Sequence, residues 1–337
     1  MVPAISVIIT AHNRKKFIVD AISSVLNQTL QKSFYEIIVV KNFEDKTIDN
    51  FIYRNNIKDI YLSEEPIGPK YVKGIQNSTG EITCILEDDD KFKVDKLQKV
   101  YNKFKNQQLG FYHNNFELIN ESGNLMKSKF YNNYEGPTLY IKNSEKNKYY
   151  KEIVNHDQIF RNSSSICFRR QLVEDRMSSL KQMRISPDYF LMMLAMDSNL
   201  DLLFDNEILT QYRFHTENMS IIKKSNFNQY LSNLIQYYSN LIEDNNVLMR
   251  SLNKKYLIDA TRFKSFLFEI EVTAFNQLLG KKQKENKTVG YENILFLFKK
   301  SIEMRYKHGF ISLFLYLAPI FIKRRIMETS YRRSLER

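Results

Sequence analysis

The sequence has 337 residues, 43% of them hydrophobic, and a formal net charge of +12. That length suits one large domain or two moderate ones, and that composition excludes a disordered chain. The two cysteines, Cys84 and Cys167, both lie in apolar stretches, which argues against a disulfide framework or a thiolate-rich zinc site and suits a reducing compartment. No basic region precedes the first apolar run and no run of about 18 apolar residues occurs, so neither a signal peptide nor an ordinary spanning helix is expected.

"ISVIIT" (5–10) and "YEIIVV" (35–40) are short β-branched runs that read as strands. Between them Phe17, Ile18, Ala21, Ile22, Val25 and Leu26 recur at helical spacing. "DNFIYRNN" (49–56) reads as a second helix and "IKDIYL" (57–62) as a strand. "GPKYVKGIQNST" (68–79) reads as a helix stopped by Gly80, and "ITCIL" (82–86) as the next strand. This alternation predicts parallel strands joined by crossover helices and covered on both faces.

In such sheets ligands bind beyond the carboxyl ends of the strands. Thr10, His12 and Asn13 stand there after the first strand, and Glu87, Asp88, Asp89 and Asp90 after the strand at 82–86. Four adjacent acids repel one another and resist desolvation. Either they form a solvated loop, or a cation or cationic ligand neutralises them; their position favours a site. Further on, Ser186, Pro187 and Asp188 suit the cap and first turn of a helix.

The C-terminal third reads as helical, its aromatics at packing positions. "FISLFLYLAPIFI" (310–322) is too short to span a bilayer, contains Pro319, and is flanked by Lys307 and by Lys323, Arg324 and Arg325. Residues 305–337 hold eight basic and two acidic side chains, so half of the net charge lies there. An apolar run beside a basic cluster suits an interfacial helix on an anionic membrane surface, each Lys or Arg adding about 1 kcal/mol. A buried helix, a dimer contact or a solvated face is the alternative.

The ordered motifs resemble the family 2 glycosyltransferases, nucleotide-sugar enzymes of the GT-A fold. "ISVIITAHNRKKFIVDAISSVLNQTL" is similar to the family's opening strand, "T-x-Y-N-R" and helix; "GEITCILEDDDKFKVDKL" is similar to its "G-E-Y-I-x-F-L-D-x-D-D-x-W-x-P-x-K-L". The likeness covers about residues 4–97 and returns at "SSSICFRRQL" (163–172), "SPDYFLMMLAM" (186–196) and "YRFHTENMS" (212–220). It implies an α/β, GT-A-like (Rossmann-like) domain with a mixed, mainly parallel sheet over residues 1–222, and a helical C-terminal region over 223–337.

The activity implied is hexosyl transfer from a nucleotide-diphosphate sugar to a glycan or lipid-linked acceptor, with inversion, using Mn2+ or Mg2+. By the same resemblance Asp89 is the main metal ligand, Glu87 replaces the first Asp of the D-x-D motif, and Asp88 lies beside sugar and ribose. Asp90 matches a further acid that lines the donor or holds the turn. Asp188 is the implied base, or an acid that only favours the helix end. His215 approaches the metal or makes a structural hydrogen bond, and Arg213 faces the diphosphate. Thr10, His12, Asn13 and Arg14 fall on the donor side. Asn42 replaces an acid that reads the base, and Lys70 or Lys73 would supply the charge of a missing Arg. His156 has no motif around it and reads as structural or acceptor-side.

Two other classes compete with this reading. A nucleotidyltransferase would also use clustered acids and metal, but "TAHNRKK" is not a glycine-rich phosphate loop. Nucleic-acid binding, suggested by charge alone, is opposed by the acid cluster, so no nucleic-acid partner is expected. The expected location is the cytoplasm, peripherally at the inner membrane face.

Overall fold

A computed structural model describes residues 2–64, 66–127, 136–155, 162–215, 226–281 and 290–335. The chain packs as two units, Met1–His215 and Thr216–Arg337. The boundary expected after residue 222 lies outside the described residues, as does His156.

The first unit opens with β1 (Ile5–Ala11), α1 (Ile18–Leu26), β2 (Tyr35–Lys41), α2 (Lys46–Arg54), β3 (Lys58–Tyr61), α3 (Ile67–Gln76) and β4 (Ile82–Glu87). β1 pairs in parallel with β2 and β4, and β2 with β3, as the alternation implies. Every residue of β1 is buried, which is why its sequence carries no polar face. α2 begins three residues earlier than expected because the Asp45 carboxylate accepts from the Thr47 and Ile48 amides and caps it. α3 ends at Gln76, capped by Asn77, so Gly80 is not its stop. Gly80 instead lets the chain pass β1: a Cβ there would lie 2.7 Å from Ser6 Oγ and 2.8 Å from backbone.

After β4 come β5 (Lys91–Phe92), α4 (Lys96–Lys103), β6 (Leu109–Ile119), β7 (Leu139–Ile141), α5 (Lys146–Asn155), β8 (Ile166–Arg169), α6 (Met177–Lys181), α7 (Pro187–Asp197) and β9 (Asp201–Arg213). The sheet runs β3-β2-β1-β4-β8-β6-β9-β5, with β7 added on β9. β8 is antiparallel to both β4 and β6, whereas β6 and β9 are parallel, so the sheet is mixed. β8 sets Cys167 opposite Cys84, both buried and both free thiols. The core of this unit packs α1 and α4 residues such as Ile22, Val25 and Leu97 on β1, β2 and β4.

The second unit is helical: α8 (Phe227–Ser251), α9 (Lys255–Leu278), α10 (Tyr291–Glu303), α11 (Lys307–Leu317) and α12 (Ile320–Leu335). Leu231, Leu234, Phe275, Leu278, Leu315 and Met327 join α8, α9, α11 and α12 in one cluster. The apolar run at 310–322 is not one helix. It breaks at Ala318 and Pro319, since proline withholds a backbone donor and restricts the residue before it. Lys323 does not belong to the basic flank: it is buried and donates to Gln277 Oε1. Among the described residues no helix is long and apolar enough to cross a membrane.

Candidate active site

β1 and β4 end side by side, with Thr10 opposite Glu87, and the Asp88 amide donates to the Thr10 carbonyl at 3.2 Å. Asp88, Asp89 and Asp90 are each at most 2% exposed, so the solvated-loop reading fails. The charge is countered from inside the chain. The Arg14 guanidinium donates to Asp88 and to Asp89, with Nε 3.4 Å from Asp88 Oδ2. Burial works against that cation, but Asp88, Asp89 and Glu87 together raise its pKa above the ordinary arginine value.

A tight turn aims Arg14 at the acids. Asn13 has φ of 55°, a left-handed conformation that Asn tolerates better than most residues. Its amide donates to Asn42 Oδ1 at 2.8 Å, and Asn42 Nδ2 donates back to Asn13 Oδ1 at 3.0 Å. Asn42 thus braces the turn through Asn13. His12 and Lys70 meet at 3.2 Å, and Lys70 also donates to the Glu64 carbonyl at 2.6 Å. Lys73 is exposed on α3, with no hydrogen bond or ion pair to the acids among the described residues. The Thr10 hydroxyl is buried without a hydrogen-bond partner.

β9 supplies the other wall. His215 Nε2 lies 3.0 Å from Asp89 Oδ2, and its ring tilts against Phe17. Arg213 is engaged within the protein. It is fully buried, and its Nε donates to the Asp89 carbonyl, Nη1 to the Glu121 carbonyl and Nη2 to Asp20. Its amide donates to Asp90 Oδ1 at 2.9 Å. Through these bonds Arg213 ties the acid loop to Asp20 and to the Glu121 carbonyl. Asp90 is thereby tied to the end of β9.

Electrostatics bring Asp188 to the same place. Asp188 stands in the first turn of α7, where its Oδ1 accepts from the Tyr189 amide at 2.8 Å. Burial, then Asp89, pushes the Glu87 carboxyl up to about 7; Arg14 opposes this and Asp188 adds to it. Burial likewise raises Asp88, against the pull of Arg14.

The residues suit a hard divalent cation. Asp89 Oδ1 is buried without a partner, while Oδ2 meets both His215 Nε2 and the Arg14 guanidinium, so a carboxylate oxygen is left open beside an imidazole. No cluster of three or more His, Cys, Asp or Glu side chains forms a metal site among the described residues.

Sequence reasoning missed the support behind the acids. Lys96, fully buried, donates to Thr210 Oγ1 at 3.0 Å and to the Ser164 carbonyl, and its ammonium sits 3.9 Å from the Phe92 ring centroid. Ser164 Oγ in turn accepts from the Glu87 amide at 3.0 Å. Burial lowers the Lys96 pKa. The signal was present, because Lys96 is the lysine of the matched "K-L" pair, although a lysine on a short helix reads as surface.

The model of the family described as Glycosyl transferase family 2 matches residues 6–176, and the chain belongs to that family. It is 29% identical over 128 residues to an uncharacterized glycosyltransferase of Rickettsia bellii, covering 37% of this chain and 18% of that one. It is also 29% identical over 128 residues to the putative teichuronic acid biosynthesis glycosyltransferase TuaG of Bacillus subtilis, covering 36% of this chain and 50% of TuaG. The matches thus span from about a fifth to a half of these relatives' length. Among solved structures, S. aureus TarS 1–349 in complex with UDP-GlcNAc superposes with a TM-score of 0.55 at 15% identity, covering 98% of this chain and 91% of that one. The mannosyltransferase PcManGT of Pyrobaculum calidifontis, in complex with GDP-Man and Mn2+, gives 0.52 at 11% identity, covering 94% and 86%. Residues 6–176 therefore carry a family 2 glycosyltransferase domain, and the solved neighbours share its GT-A fold.

Proposed function

We propose that this chain transfers a hexosyl group from a nucleotide-diphosphate sugar to a hydroxyl of a glycan or lipid-linked acceptor, with inversion, at the cytoplasmic face of the membrane. The observation that carries this reading is the half-satisfied Asp89 carboxylate, one oxygen on His215 and the other without a partner, at the carboxyl end of β4. Two solved neighbours hold nucleotide-diphosphate sugars, and one of them Mn2+.

In this reading Asp89 and His215, with Glu87 beside them, would hold Mn2+ or Mg2+, which would supply charge neutralisation for the departing diphosphate. Arg14 leaves Asp89 and takes up the diphosphate charge, while Asp88 and the Thr10 hydroxyl orient the nucleoside sugar. His12 and Lys70, already paired, flank the donor. Asp188 removes the proton from the acceptor hydroxyl as that oxygen attacks the anomeric carbon. Attack on the face opposite the leaving diphosphate inverts the configuration. Asn42, paired with Asn13, holds the turn that carries Arg14 beside the donor.

A thermal-shift panel of UDP, GDP, ADP and CDP, each with Mn2+, tests the reading. One nucleotide at 100 times its Kd should stabilise the protein by about 2.7 kcal/mol. Melting that no nucleotide shifts, with or without metal, overturns it.

A further inference from the structure

Among the described residues 18 large hydrophobic side chains are exposed, and ten of them fall between Tyr291 and Phe321. Scattered exposed apolar residues are ordinary; a contiguous group is not. On α10 Leu295, Phe298 and Ile302 are spaced to share one face. On α11 Phe310, Phe314 and Leu317 do the same. The Phe298 and Phe310 rings, 5.8 Å apart, join the two stripes. Ile320 and Phe321, just past the Pro319 break, are exposed as well, Phe321 at 71%.

The surroundings are basic. Lys299, Arg305, Lys307 and Arg325 are all exposed on the same three helices and their connections. From Tyr291 to Arg325 the chain carries seven Lys or Arg and two acids, Glu292 and Glu303, and Glu303 is ion-paired with Lys300 at 2.8 Å. Two copies meeting through this face would bring like charges together. An anionic bilayer offers the complement to both parts, acyl chains for the rings and phosphate headgroups for the cations.

We propose that the α10–α11–α12 face is a monotopic membrane-docking surface that inserts Phe298, Phe314, Leu317 and Phe321 into an anionic lipid monolayer. It differs from the surface expected from sequence, because α10 contributes and the buried Lys323 does not. The inference stands without the proposed sugar chemistry.

The chain contains no tryptophan, so Phe321→Trp installs a single reporter with little change of shape. With full-length protein and vesicles of 30% phosphatidylglycerol in phosphatidylcholine, the Trp emission should shift to the blue and be quenched by brominated lipid. Phe314→Glu with Leu317→Glu should weaken co-sedimentation at least tenfold, with circular dichroism unchanged. A second, independent variant, Phe298→Glu, should weaken it severalfold. Three results would overturn the proposal: unshifted emission, equal binding to pure phosphatidylcholine, or Glu variants that bind as wild type. A light-scattering dimer that the Glu variants dissolve, with no vesicle binding, would assign the face to a second copy instead.

Discussion

The two units stand in opposite relation to water. The first keeps charge inside: Asp88, Asp89, Asp90, Lys96 and Arg213 are all nearly inaccessible within a sheet of apolar strands. The second keeps apolar side chains outside, on α10, α11 and the start of α12. Burying charge is tolerable only when every ion finds a partner, and Arg14, His215 and the Arg213 amide supply most of these. Exposing rings is tolerable only while something apolar is available to cover them. The contrast separates a site that is internally compensated, save for an oxygen or two, from a surface that is not compensated at all.

The strongest way to break this contrast is to remove the internal cation. Arg14→Met leaves Asp88 and Asp89 without their guanidinium, which should cost the metal-free protein about 3–5 kcal/mol. Differential scanning calorimetry at neutral pH should show it, and added Mn2+ should return part of the loss. An unchanged melting temperature would mean that the acids are held by other means.

Next in size is the proposed base. Asp188→Asn should lower turnover by roughly 100-fold, about 2.7 kcal/mol in the barrier, with donor affinity nearly unaffected. Loss of donor affinity with turnover preserved at saturation would make Asp188 a binding residue.

A smaller effect concerns a carboxylate that is fully served. Burial acts to raise the Glu36 pKa, yet hydrogen bonds from Ser6, Thr79 and Gly80 outweigh it and bring it below the usual glutamate value. A depressed acid contributes stability above its unfolded pKa and loses it as pH falls through the folded one. Glu36→Gln should therefore cost about 1 kcal/mol at pH 7 and flatten the acid limb of the stability curve below about 4.5. An unaltered acid limb would show that Glu36 is not the group responsible.

The smallest effect is expected where the contrast is sharpest. Leu317→Ser, at a site 63% exposed, should change stability by no more than about 0.5 kcal/mol. Leu231→Ala, at a fully buried site of the same unit, should cost about 2–5 kcal/mol. Chemical denaturation of both variants gives the comparison directly, and a costly Leu317 substitution would reveal a hidden packing partner.

Sequence pattern located β1, α1, β2, β3 and β4 because their apolar runs are unbroken and their turns carry clear signals. β6 and β9 went unread, since Asn114, Asn115 and Arg213 interrupt their apolar character although all three are buried. Such residues are legible only through partners far along the chain. Arg14 meets the acids from 74 and 75 positions away, and Arg213 binds Asp20 from 193. Pattern placed the acids at a strand end but could not say what neutralised them. On α10 and α11 periodicity tells which side chains share a face, not whether that face is covered.

Cys84 and Cys167 have a practical corollary. They are the chain's only sulfhydryls, they sit opposite one another in the middle of the sheet, and neither has any accessible surface. Burial, above all, also pushes the Cys84 thiol well above its ordinary pKa, which keeps it unreactive. A maleimide can reach them only when β4 and β8 part, so their labelling rate is a clock for opening of the central strands. A cysteine engineered onto the surface would be tagged under native conditions with the two internal thiols silent, giving single-site attachment for fluorescence or spin probes without first removing either one.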